Sequence, residues 1–112
     1  MCYTLCMGSQ CLQLRECDIQ KTCIDYLRVM RWYVLDFSRH DCPDLSGISD
    51  IMAMKRGRYL WIEFKRPGNK QQANQIEFMN EIRGHDGEYI LIYSIDELMD
   101  FLKDDTLQGV MF

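Results

Sequence analysis

The sequence predicts a single α/β domain with a mixed sheet and helices packed against it. Three observations predict it. Apolar residues recur at helical spacing in three segments, while four others are β-branched, aromatic or continuously apolar. Those segments run in the order helix, strand, strand, strand, helix, strand, helix, which suits a sheet with layered helices. The 112 residues suffice for one core and leave no room for a second. A composition of 47% apolar and 27% charged residues excludes bulk disorder.

Residues 1–13 show no clear period and read as an N-terminal arm to a domain over 14–112. From 14 to about 30, Ile19, Cys23, Leu27 and Met30 recur at three- and four-residue steps, with charges mostly in other directions, so an amphipathic helix is expected. Residues 32–37 are β-branched and aromatic and predict a strand. Residues 38–47, with Pro43 and Gly47, read as a loop. Two strands come next, over 48–54 and 59–65, joined by a hairpin turn at Lys55, Arg56, Gly57 and Arg58 in which Gly57 can take positive φ. Pro67 ends the second strand, because it cannot continue a central ladder. Ile76, Phe78, Met79 and Ile82 place a helix over 72–83, stopped by the segment 84–87. The continuous apolar run of Tyr89, Ile90, Leu91, Ile92 and Tyr93 suits a buried strand. Ser94 and Glu97 form a capping-box pattern that opens a last helix reaching about Lys103.

Net charge is −4, which argues against a polyanionic partner for the chain as a whole. The distribution says more. Lys55, Arg56, Arg58, Lys65, Arg66 and Lys70 face a single acid, Glu63, whereas residues 96–105 are acidic. A basic face can still attract a polyanion locally, because screening over about 10 Å hides the acidic end. The same charges also suit a solvated hairpin. Of six cysteines, five crowd into the first 23 residues, with no CxxC pair and no Cys/His grouping at zinc-ligand spacing. Free thiols in a reducing, intracellular setting are expected. No apolar run approaches a membrane span. The start of the chain lacks the pattern of a secretory signal. His40 and His85 fall in expected loops and read as surface residues.

The chemistry lies at the hairpin. With its turn centred between Arg56 and Gly57, Met54 faces Tyr59, Met52 faces Trp61 and Asp50 faces Glu63. Glu63 and Lys65 share one face of their strand and Ile62 and Phe64 the other. Two carboxylates directly opposite each other repel. A divalent cation between them removes that conflict, and carboxylate with carbonyl oxygen suits Mg²⁺ or Mn²⁺. A surface ion pair of Lys65 with Glu63 or Asp50 is the plainer alternative, worth at most about 1 kcal/mol. Against it, Glu63 and Lys65 interrupt an otherwise apolar strand, where charges are unfavourable unless paired or metal-bound.

The segment from Gly57 to Lys70, GRYLWIEFKRPGNK, closely resembles the signature of VRR-NUC domains, and so does the preceding GISDI over 47–51. Glu16 and Gln20 resemble that family's N-terminal Glu-x3-Gln pattern, and Gln75 its later glutamine. The resemblance spans about 14–102 and implies the PD-(D/E)XK, restriction-endonuclease-like core: a four-stranded mixed sheet with flanking helices, in the order αβββαβα. It implies a Mg²⁺- or Mn²⁺-dependent DNA endonuclease. Asp50 and Glu63 would be metal ligands with the backbone carbonyl of Phe64, and Lys65 the catalytic lysine. Glu16 would approach the metal directly or through water, and Gln75 would position the site or contact a phosphate. Lys55, Arg56, Arg58, Arg66 and Lys70 are the candidates for DNA phosphate contacts. Pro43 and Asp44 also spell the superfamily's Pro-Asp, but the hairpin register carries Asp44 past Pro67, so Asp50 is preferred.

Minimal members of the family resemble Holliday-junction resolvases acting as homodimers. Symmetric cutting of two strands needs two active sites, which a two-fold dimer supplies. The N-terminal arm and Val110, Met111 and Phe112 are candidate dimer surfaces. Two alternatives stay open: a DNA-binding module without catalysis, and a nicking or duplex endonuclease using the same site. A phage-infected host cell would suit so small a nuclease.

Overall fold

The computed structural model describes residues 5–7, 10–12, 15–38 and 46–103. Residues 39–45 and 104–112, with His40, Cys42, Asp44 and the proposed C-terminal dimer surface, lie outside the described residues. The arm, which shows no clear period in the sequence, carries two short strands, β1 (Leu5–Met7) and β2 (Gln10–Leu12). They pair antiparallel with Leu5 opposite Leu12. Strands of three residues leave no period to read in a sequence.

The remaining elements keep the expected order: α1 (Glu16–Val29), β3 (Tyr33–Asp36), β4 (Ile51–Lys55), β5 (Arg58–Phe64), α2 (Ala73–Gly84), β6 (Glu88–Ile92) and α3 (Ile95–Phe101). The four main strands lie in the order β3-β4-β5-β6. The first three form an antiparallel meander, and β6 joins β5 in parallel after the α2 crossover. One face of the sheet, through Val34, Ala53, Leu60, Ile62 and Phe64, packs on Ile19, Cys23 and Leu27 of α1 and Leu98 of α3. On the other face, Trp61 stacks with Phe37 and meets Phe78 of α2 edge-on. The Cys23 thiol, buried in the core, is pushed up to about 12 by that burial and acts as a small apolar group.

Local chemistry fixes the ends. Arg31, in left-handed backbone at φ 71°, closes α1, and the Trp32 N–H donates to the Leu27 carbonyl. The same closure ends α2, with Asp86 at φ 63° and the Gly87 N–H on Ile82. The left-handed position there belongs to Asp86 and not to a glycine. Its short polar side chain makes that conformation accessible. The Ser94 hydroxyl accepts the Glu97 N–H and starts α3. Glu97 returns its carboxylate to the Tyr93 N–H, one residue before the cap.

Two turns place Asp50 and Glu63. Arg56 and Gly57, both at positive φ (52° and 81°), form a two-residue hairpin loop matching the right-handed twist of β4 and β5. Gly47, at φ +85°, presses against the first turn of α2, where an added Cβ would come within 2.7 Å of the Asn74 carbonyl carbon. The loop that leads to Asp50 is thereby docked on α2, reinforced by the Asn74 amide donating to Ser46 at 2.8 Å. Gly47→Ala is expected to lower stability by about 2–4 kcal/mol, through both the backbone conformation and the clash. Urea denaturation of the purified variant measures this.

Candidate active site

The strand pairing places Met54 opposite Tyr59, Met52 opposite Trp61 and Ile51 opposite Ile62. One step further, past the end of the ladder, Asp50 comes alongside Glu63. The Phe37 N–H donates to the Asp50 carbonyl at 2.8 Å, and the Phe64 N–H donates to Asp50 Oδ2 at 2.8 Å. Asp50 is therefore tied to the strand on either side. The buried Ser49 hydroxyl, on the Ile51 carbonyl at 3.1 Å, holds the preceding residue.

Glu63 is 2% exposed and Lys65 8%. Lys65 Nζ lies 3.8 Å from Glu63 Oε2. The same oxygen accepts the Gln75 side-chain amide at 3.0 Å, reaching across from α2. Glu63 Oε1 is buried with no hydrogen-bond partner. A carboxylate oxygen left unpaired in a dry site is costly, and its chemistry suits a hard cation. Burial, reinforced by the neighbouring Asp50 charge, raises the Glu63 carboxyl from 4.5 to about 8, against the lowering effect of Lys65. Asp50 is also raised, chiefly by burial. The Phe64 N–H and Lys65 act the other way, while Glu16 and Asp36 add to the rise. The two acids thus sit in a strongly negative, poorly hydrated spot. A donor set of two such carboxylates beside a backbone carbonyl fits Mg²⁺ or Mn²⁺.

The structure brings together Glu16, Asp50, Glu63, Lys65 and Gln75 from four separate segments. Glu16, at the start of α1, is close enough for its charge to act on both acids. Its Oε2 accepts the Asn69 amide at 3.2 Å. Among the described residues, no three His, Cys, Asp or Glu side chains converge closely enough to share one ion. Asp36, which the sequence did not single out, lies near Asp50 and is held by Ser38 and Gln20. Its position depends on the β3–β4 register, for which no local signal exists.

The basic residues divide into two groups. Arg66 and Lys70 are exposed on the segment after Lys65. Lys55, Arg56 and Arg58 lie at the opposite end of β5, roughly 20 Å away by strand rise. Arg58 grips Glu88 with two hydrogen bonds, 2.7 and 3.0 Å, and its guanidinium lies over Trp32 and Phe101. Lys55 also lies over Trp32. His85 is exposed beside Glu81.

A helix, an antiparallel three-strand meander, a crossover helix, a parallel fourth strand and a closing helix, with helices on both faces, form the αβββαβα mixed-sheet core that the sequence predicts. A solved chain described as a VRR_NUC domain shares this fold: the TM-score is 0.63 at 18% identity, over 80% of this chain and 94% of that one. The fold is therefore VRR-NUC-like, as the sequence resemblance implies. No protein-family model matches the sequence, and no curated protein does. None of the described helices is long and apolar enough to cross a membrane.

Proposed function

We propose that this chain is an intracellular, Mg²⁺- or Mn²⁺-dependent endonuclease that hydrolyses DNA phosphodiester bonds, selects branched DNA such as four-way junctions and acts as a homodimer. One observation carries the reading: Glu63, buried beside Asp50, has an unpartnered oxygen and a lysine at 3.8 Å. A purely structural pair would gain from replacing such buried charges with apolar groups.

Asp50, Glu63 and the Phe64 carbonyl would hold the cation, with Glu16 contributing through water. Such an ion, when bound, neutralises phosphate charge and lowers the pKa of coordinated water. The protein's own groups do the rest. The Phe64 N–H fixes the Asp50 carboxylate by one oxygen, and Gln75 fixes Glu63 by one oxygen, leaving the other free. Lys65 brings a positive charge to the acid pair, where it orients the attacking water or offsets charge developing on the phosphoryl oxygens. The low exposure of the site strengthens each of these interactions.

Arg66 and Lys70 contact the phosphates nearest the scissile bond. Lys55 and Arg56 reach phosphates about 20 Å further along a duplex, while Arg58 is engaged by Glu88. Arg66→Ala and Lys70→Ala are each expected to lower the slope of log affinity against log salt by about 1, measured by fluorescence anisotropy on labelled DNA.

The function is tested by offering a labelled four-way junction and its matching linear duplex to wild type and Glu63→Ala, with Mg²⁺, Mn²⁺ or EDTA. Metal-dependent cutting of the junction by the wild type alone supports the proposal. Preferential cutting of plain duplex replaces the resolvase role with a nicking or restriction-type one. DNA binding without cutting, unaffected by EDTA, points to a binding module.

A further inference from the structure

Glu16 belongs to α1, whereas Asp50 and Glu63 belong to the β4–β5 hairpin. Asn69 links them. Its side-chain amide donates to Glu16 Oε2 at 3.2 Å, across 53 residues of sequence. Asn69 itself is clamped. It closes a turn begun at Arg66, its N–H donating to the Arg66 carbonyl at 3.0 Å, with Pro67 and a left-handed Gly68 (φ +90°) in the middle. From the other side the Tyr93 hydroxyl donates to the Asn69 carbonyl at 3.4 Å. Immediately before the turn, the Lys65 N–H is bonded to Ile92 at 3.0 Å. The turn is thus anchored to the sheet at both ends. Among the described residues, Asn69 is the side chain that hydrogen-bonds Glu16.

We propose that Asn69 is a positioning residue for the metal centre: by occupying Glu16 Oε2 it holds that carboxylate toward Asp50 and Glu63, and so sets how tightly the centre binds a divalent cation. This rests on the reading that Asp50 and Glu63 hold the ion. The logic is that of outer-shell partners generally, which orient a ligand or its bridging water and whose loss weakens metal binding by about 10- to 100-fold. It also gives the Pro-Gly turn a purpose beyond ending β5. The turn sets the position of the amide that reaches back to α1.

The test is a calorimetric titration with Mn²⁺ of wild type, Asn69→Ala, Asn69→Leu, Glu16→Ala and the double variant Glu16→Ala/Asn69→Ala. Leucine keeps the shape of asparagine and removes the donor, so it guards against an effect of lost volume. Both Asn69 variants are expected to bind Mn²⁺ about tenfold more weakly than wild type. The double variant is expected to bind no more weakly than Glu16→Ala, because Asn69 acts through Glu16. Unchanged affinity in the Asn69 variants overturns the inference and leaves the metal reading standing. So does a loss in the double variant that adds to that of Glu16→Ala, which would mark a general effect of the turn. A wild type that binds no Mn²⁺ overturns the metal reading and this inference together.

Discussion

Glu63→Gln is expected to abolish cleavage and, at the same time, to stabilise the metal-free protein. Catalysis fails because an amide cannot supply the anionic oxygen that the cation needs. A loss of at least about 10³-fold, near 4 kcal/mol of transition-state stabilisation, is expected in single-turnover cleavage. Stability rises because the wild-type carboxylate is uncomfortable where it stands. Burial and the Asp50 charge raise its pKa to about 8 from an ordinary 4.5. The folded chain therefore holds this proton more tightly than the unfolded chain. The stabilisation that comes from the protonated form is complete below about pH 4.5 and is lost as the pH climbs through about 8. Metal-free wild type is thus expected to melt at a lower temperature at pH 8 than at pH 5.5. Glutamine is neutral throughout, and its amide can donate to the neighbouring Asp50 carboxylate. The gain at pH 8 is expected to be a few kcal/mol, or of the order of 10 °C in melting temperature. Thermal melts in EDTA at the two pH values measure it. Mn²⁺ at a hundredfold excess over its Kd should return about 2.7 kcal/mol to the wild type and nothing to the variant. A variant no more stable than wild type at pH 8 would mean that Glu63 is comfortably ionised.

Lys65→Met is expected to separate binding from chemistry. The apolar stem is preserved and the charge 3.8 Å from Glu63 is removed. Cleavage should fall by about 10²–10³-fold, the usual effect of losing one group that stabilises developing charge. Mn²⁺ binding should persist, since Lys65 is not a ligand and its charge opposes that of the ion. In the absence of metal the variant carries two buried acids without their nearest cation, so both carboxyls move further up, because Lys65 lowers each in the wild type. Single-turnover cleavage alongside the Mn²⁺ titration tests this. Near-normal cleavage would remove Lys65 from the mechanism.

The acid pair was legible in the sequence for a specific reason. A two-residue turn fixes the register of a hairpin, so Asp50 and Glu63 could be placed side by side by counting outward from Arg56 and Gly57. The element order was legible because the periods of α1 and the runs of β5 and β6 are strong. Other features depended on distant contacts. Gln75, whose amide meets Glu63 12 residues away, was reachable only through the family resemblance, and the amide of Asn69 on Glu16, across 53 residues, leaves no local trace. Arg58 reads as one more cation in a basic run until β6 brings Glu88 beside it. The end of α2 falls in the segment 84–87 that the sequence marks as its stop, but the left-handed residue there is Asp86, a choice that composition alone does not single out.

The most direct measurement of the central claim is anomalous diffraction from crystals grown with Mn²⁺. The account predicts a peak at bonding distance from carboxylate oxygens of both Asp50 and Glu63 and from the Phe64 carbonyl oxygen, lost in Glu63→Gln. A site left without a peak at saturating Mn²⁺, or a peak that ignores Glu63, would contradict it.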